Sequence, residues 1–308
     1  QRHTLMAILP ACIVAVSLLH RPISVMDEVI WGPADPWNNG DFLGAHWLFW
    51  AMSQTGNPTD LLNSPWGETS ILSSFPNPFD AWILGPLMMD LEFPMGWNLM
   101  MLSHHLLNVV GTVCLARSAG ARTLHSSAAG ALIAATPIML HEHAMGHTLT
   151  SAVWPALFGL SALLQHRGVI AGVWLAIQGL AYLYTGLAAG LVALIIRPTR
   201  GLLIAPLICV PYVFALVPEF ASASAIPPPD GYTGLPIDGL YGSSNQSHIQ
   251  LHPLLWVGLG AWFVGNTSNR AIRRRIVIAA TALLLITLGP AISPYRGAEA
   301  TWTSPLWL

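Results

Sequence analysis

Apolar runs recur along this chain near residues 4–20, 95–116, 125–140, 150–165, 169–182, 183–196, 202–218, 253–268 and 276–292. That patterning limits the fold more than any motif does. Only 8% of the 308 residues are charged and mean hydropathy is +0.57, whereas a soluble domain carries about a quarter charged residues. So few charges cannot cover a soluble surface, while lipid-facing helices need none because they satisfy their own backbone. The expected fold class is all-α: a polytopic transmembrane helical bundle of about nine membrane segments, several of them short or partial. Val169 to Ile196 is too short for two full crossings, so a pair of short helices turning near Tyr182-Leu183-Tyr184 is expected there.

The arginines supply an independent check on this topology. The chain has no lysine, so arginine accounts for all 12 basic residues. With Arg2 set in the cytoplasm, alternate connections carry Arg117 and Arg122, then Arg167, then Arg197 and Arg200, then Arg270, Arg273, Arg274 and Arg275. All of these fall on one side, as the positive-inside rule requires. Arg21 and Arg296 are the exceptions, each close to a helix end. All 14 acidic residues fall on the other side, nine of them in the first loop. Acids contribute little to orientation, so the segregation reflects either a solvated outer surface or a polar, chemically active outer cavity. A net charge of −2 gives no reason to expect a nucleic-acid partner.

The chain then divides into a first transmembrane helix (1–22), a long extracytoplasmic loop (23–94), helices with a short pair among them (95–219), a second extracytoplasmic loop (220–252) and C-terminal helices (253–308). Leu5 to Leu19 reads as a membrane helix, not a signal peptide, because Arg21-Pro22 is not a small-residue cleavage site. The start at Gln1 and the end at Leu308 read as trimmed. Cys12, Cys114 and Cys209 lie inside apolar runs and read as small buried or lipid-facing side chains.

The first loop is no linker, since it holds Trp31, Trp37, Trp47, Trp50, Trp66 and Trp82 and linkers are poor in aromatics. Phe42 to Met52 reads as an interfacial helix with Asp41 at an N-cap-like position. Trp47, Trp50 and Trp66 serve either as membrane-interface anchors or as sugar platforms. A second short helix is expected from Asn77 through Met89, with Asp80 as a candidate cap and Pro76 and Pro78 setting its entry. Between later spans, His141-Glu142-His143-Ala144-Met145-Gly146-His147 packs three imidazoles and a carboxylate together. Metal binding, a hydrogen-bonded polar cavity and substrate contact all remain open for it, although the spacing is not HExxH. His104-His105 lies inside a span, where histidine is either functional or a helix–helix hydrogen bond.

Taken in order, these features are similar to the GT-C class of integral membrane glycosyltransferases, which use polyprenyl-phosphate-linked sugars. Over roughly residues 1–200 the resemblance rests on Gly40-Asp41 before the Trp47/Trp50 helix, then Asn57-Pro58, Ser64-Pro65-Trp66-Gly67 and Pro76-Asn77-Pro78-Phe79. It continues through Leu115-Ala116-Arg117, Ala134-Ala135-Thr136-Pro137, His143 to His147, Trp154-Pro155-Ala156-Leu157 and Gln178 to Gly186. It implies a GT-C-like fold and hexosyl transfer at the outer face of a bacterial inner membrane, with the N-terminus cytoplasmic. It further implies a catalytic first-loop aspartate at Asp41, with Asp35 as the nearby alternative.

Transfer from a phosphate leaving group needs a carboxylate base at the acceptor hydroxyl and charge neutralisation at the departing phosphate. Glu142, His143, His147, Arg296 and Trp47 are the candidate substrate contacts, with Arg296 on the phosphate. A divalent cation such as Mg or Mn is an expected cofactor, for which Asp41, Glu142 and His147 are the candidate ligands. The expected partners are membrane lipids, the polyprenyl-phosphate-linked sugar and other membrane subunits. The alternative is a non-catalytic subunit that uses the same scaffold within a larger membrane complex. A transporter fits less well, because the spans contain histidines but no acids.

Overall fold

The computed structural model describes residues 2–19, 23, 77–80, 91, 94–136, 139–140, 143, 151–223, 274–275, 278, 291–292 and 302–303, without the side chains of 184, 215–223, 291–292 and 302–303. The described chain is helical apart from one two-residue antiparallel strand pair, β1 (Ala291–Ile292) with β2 (Trp302–Thr303). The helices are α1 (Arg2–Leu18), α2 (Met95–Ser118), α3 (Thr123–Ala134), α4 (Trp154–Leu164), α5 (Gly168–Ala181) and α6 (Leu183–Ile196). A 3-10 turn (Arg200–Leu203) leads into α7 (Ile204–Ala223). Among the described residues, α2 is the one helix long and apolar enough to cross a membrane. Its 24 residues span about 36 Å, against a hydrocarbon layer of about 30 Å.

Small residues set how closely these helices approach. Ala7, Ala11 and Ala15 recur every four residues on α1 and are fully buried against Val109 and Val113 of α2 and Ala134 of α3. Gly130 of α3 sits at the crossing of the three, where an added Cβ would lie 2.7 Å from Val113 Cγ2 and 3.0 Å from Ala11 Cβ. Backbones approach this closely only where side chains are nearly absent, as at packed membrane-helix interfaces.

The short-helix pair falls where the sequence places it. Tyr182 is extended (φ −160°, ψ 114°) and separates α5 from α6. The two double back, since Ala171 at the start of α5 packs in one cluster with Ile196 at the end of α6. Gly186 permits the turn, because a Cβ there would meet the Gly179 Cα at 2.5 Å. The expected 125–140 span is instead broken: α3 ends at Ala134, and helical conformation resumes at 139–140 beyond Pro137. Proline removes the donor for one helical hydrogen bond and blocks the α conformation of the residue before it.

Two helix ends share one stop signal. At the end of α2, Gly120 (φ 92°) donates to the Arg117 carbonyl and Ala121 to the Ala116 carbonyl. At the end of α4, His166 (φ 66°) and Arg167 repeat the pattern on Leu163 and Ala162. These are Schellman closures, which satisfy carbonyls that a helix end otherwise leaves bare. They also place arginines together, since Arg117 and Arg167 line one cavity with Thr4 of α1. Arg275 reaches the same end of the bundle, donating from Nη1 to the Ile196 carbonyl at 2.9 Å.

Candidate functional site

At the opposite end, polar side chains enter the apolar core. Asn77 begins this site, accepting on Oδ1 from the Asp80 backbone N–H at 3.0 Å and donating from Nδ2 to Asp80 Oδ2. Pro78 occupies the first helical position, where its missing N–H costs nothing. The cap is therefore Asn77 and not Asp80, because a cap accepts from the N–H three residues ahead. Asp80 at the third position is left to turn its carboxylate onto α2.

Asp80 Oδ2 lies 3.2 Å from His104 Nε2, and both side chains are fully buried. On the far side of the ring, Trp154 Nε1 lies 3.0 Å from His104 Nδ1. An indole N–H can only donate. His104 Nδ1 is therefore the acceptor, and the proton on Nε2 points at Asp80. One residue of α4 thus fixes the tautomer of a residue on α2, which in turn orients a carboxylate from the first loop. Asp80 Oδ1 has no hydrogen-bond partner despite its burial. Around this chain Phe79, Phe158 and Trp174 pack edge-on against Trp154, with ring centroids at 5.8, 6.1 and 5.7 Å.

Two amide side chains build the adjoining wall. Asn108 of α2 donates to the Ser151 carbonyl at 2.6 Å and accepts from the Val153 N–H at 3.1 Å. Gln178 of α5 donates to the Ala152 carbonyl at 2.9 Å and accepts from the Ala156 N–H at 3.1 Å. Helix α4 has no side-chain cap of its own, so two neighbouring helices supply the acceptors that its first turn lacks. Both side chains are buried, and each amide uses donor and acceptor together.

His105 and His143 meet beside this wall, edge to face at 4.7 Å between centroids. His143 donates from Nδ1 to the Met139 carbonyl at 2.7 Å. Burial pushes its pKa down to about 3, helped by the neighbouring His105 and opposed by the Met139 and Met101 carbonyls. His105 is 1% exposed, and neither ring nitrogen has a hydrogen-bond partner. A buried imidazole with both nitrogens unmet marks a place for a polar ligand or an ordered water.

Of the residues singled out from sequence, His143 lies in this cluster. Asp35, Asp41, Trp47, Glu142, His147 and Arg296 lie outside the described residues. The His104-His105 pair divides between its two readings: His104 makes the interhelical hydrogen bond and His105 is the unmet group. Asp80, Asn108, Trp154 and Gln178 are members that sequence reasoning did not assign to a site. For Asn108 and Gln178 the available signal was a lone amide within an apolar run. Among the described residues no group of three or more His, Cys, Asp or Glu is placed to hold a metal ion. The expected cation ligands Asp41, Glu142 and His147 lie outside the described residues. No family model matches the chain, and comparison with curated proteins and with solved structures returned no significant match.

Proposed function

We propose that this chain is a polytopic membrane protein of the bacterial inner membrane, GT-C-like in fold, with about nine membrane segments and a cytoplasmic N-terminus. In this reading it transfers a hexosyl group from a polyprenyl-phosphate donor at the extracytoplasmic face. The observation that carries the proposal is the Asp80–His104–Trp154 chain. It pins the acid-rich first loop to the one described helix long enough to span, at the end opposite the arginines. Ionisable groups buried in an apolar bundle are expensive, and functional sites are where they are retained. Large apolar side chains on the outside support lipid contact, among them Leu5 and Leu9 of α1, Leu124 of α3 and Leu207 of α7, each more than 60% exposed.

The chemistry assigned to the outer face follows from the leaving group. A first-loop carboxylate, Asp41 with Asp35 as its neighbour, takes the proton from the acceptor hydroxyl. The hydroxyl oxygen forms the new bond to the anomeric carbon as the bond from that carbon to the phosphate oxygen breaks. Polyprenyl phosphate departs carrying the electron pair, and Arg296 neutralises the charge that develops on it. Glu142, His143, His147 and Trp47 are the sugar and acceptor contacts.

The test is sugar transfer from a synthetic polyprenyl-phosphate hexose by the purified chain and by its Asp41→Asn variant. Loss of turnover in the variant, with the folded yield unchanged, supports the assignment. Full activity in Asp41→Asn removes that residue as the base. A wild-type chain that turns over no donor but is retained in a stoichiometric membrane complex establishes the non-catalytic subunit instead.

A further inference from the structure

The arginine end of the bundle holds a cavity of about 660 Å³ between α1, α2 and the α4–α5 turn. Thr4, Arg117, Ser118, Gln165 and Arg167 line it. Its wall is ordered, because Gln165 Nε2 donates to Ser118 Oγ at 2.8 Å and the Ser118 and Ser161 hydroxyls pair at 2.7 Å. Arg117 spends Nη1 on the Ala121 carbonyl, while its buried Nε–H has no partner. The Schellman closures of α2 and α4 fix the backbone of both arginines at this end of the bundle. Thr4 lies in the first turn of α1 and Arg167 is the N-cap of α5, while α2 ends here at Ser118 and α4 at its C-cap Gln165, so the helix dipoles largely offset one another and the two arginines carry the positive charge.

Among the described residues no carboxylate stands beside this cavity as a counter-ion. No Asp or Glu occurs between Gln1 and Met26, between Glu92 and Glu142, or between Glu142 and Glu219. None of the helices α1 to α6 can therefore supply a carboxylate. Two guanidinium groups converging on a polar recess, with no carboxylate on the helices around them, call for an anion from outside these helices, and a tetrahedral phosphate matches the guanidinium fork.

We propose that this cavity is a binding site for the phosphate of an anionic phospholipid, entered from the leaflet at the arginine end. The apolar outer faces of α1 and α5 beside it, with Leu5 and Val169 exposed at 67% and 60%, offer the acyl chains a surface. Basic recesses between helices on the arginine-rich side of a membrane recognise lipid headgroups by this chemistry. The inference rests on the membrane reading and not on glycosyl transfer.

Native mass spectrometry of the full chain released from detergent tests it, with phosphatidylglycerol, phosphatidylcholine and inorganic phosphate as probes. Phosphatidylglycerol is expected to be retained in preference to phosphatidylcholine. Arg167→Gln, at an exposed position, should weaken that retention about tenfold, the loss of one charge-assisted contact. Arg117→Lys keeps the charge but not the fork and should weaken it as well. Arg122→Gln removes the same charge elsewhere on this end and should leave retention unchanged. Equal retention of the two lipids, or equal loss in Arg122→Gln and Arg167→Gln, overturns the site. Displacement of phosphatidylglycerol by inorganic phosphate at matched concentration assigns the recess to free phosphate and overturns the lipid. Since none of these readouts involves sugar transfer, failure here is separable from failure of the proposed reaction.

Discussion

Replacing His104 with leucine probes the buried chain at its centre. Leucine fills most of the ring's volume, so the cavity term is small and the polar terms decide the outcome. The substitution strips Trp154 Nε1–H of its acceptor and Asp80 Oδ2 of its ring donor in a region where neither is exposed to water. An orphaned neutral donor costs about 1–3 kcal/mol, and a lost hydrogen bond to a carboxylate about 1.5–3 kcal/mol, so His104→Leu should destabilise by about 3–5 kcal/mol. Trp154→Phe removes the indole N–H and leaves only His104 Nδ1 unmet, for about 1–3 kcal/mol together with a modest packing loss. In the double variant the indole donor and its imidazole acceptor are both absent. Its cost should therefore fall short of the sum of the two singles by about 1–3 kcal/mol. Equilibrium unfolding in mixed micelles, followed by far-UV circular dichroism, measures all three. Additivity to within about 0.5 kcal/mol refutes the hydrogen bond between the two rings and, with it, the tautomer assignment.

Other consequences are simpler to state. His143, neutral when folded because burial lowers its pKa to about 3, stabilises fully above about pH 6.5, its unfolded value, and loses that contribution as pH falls toward the folded value. Unfolding midpoints of wild type and His143→Asn should therefore converge on acidification from pH ~7 to pH ~4, and parallel curves contradict the assignment. A Cβ on Gly172 would sit 2.2 Å from the Gly201 carbonyl oxygen while one on Gly190 meets nothing within 4 Å. Gly172→Ala should accordingly cost about 2–3 kcal/mol and Gly190→Ala gain about 0.5–1 kcal/mol, with equal midpoints for the two counting against the packing argument. Asn108→Leu should cost about 2–4 kcal/mol by leaving the Ser151 carbonyl and Val153 N–H unpaired, and the same unfolding assay should show no change if water replaces the amide.

Much of the helical layout was legible because apolar length and glycine or proline punctuation are local signals. The expected runs at 95–116, 169–182 and 183–196 coincide with α2, α5 and α6 to within a residue or two, and the break at Tyr182 was visible as a run too short to cross twice. The exception at 125–140 is equally local, since Pro137 ends a helix that composition alone would continue. Less legible was which polar residues would meet. Asp80 reads in sequence as a cap because short polar residues favour helix starts. Asn77 three residues earlier takes that role, and the carboxylate is freed for a partner 24 positions away.

The segregation of charge is where sequence and geometry join most closely. Arginine parity is a statement about order along the chain, yet in three dimensions Arg117, Arg167 and Arg275 gather at one end of the bundle and the buried carboxylate lies at the other. An antiparallel helical bundle makes this inevitable, since each alternate connection returns to the same end. The consequence for function is a division of labour. The arginine end, lacking any acid in α1 to α6, can only be neutralised from outside those helices, and that demand selects anions. The acidic end is built the other way, with a carboxylate held by neutral donors, Nε2–H of His104 and the Asn77 amide, and Oδ1 left open. Replacing His104 by arginine would convert the open carboxylate into a closed ion pair. If Asp80 itself takes part in the reaction, beyond anchoring the loop that carries Asp41, that change should abolish transfer even where the variant is as stable as the wild type. Retained transfer in a stable His104→Arg protein would show that Asp80 only anchors the loop.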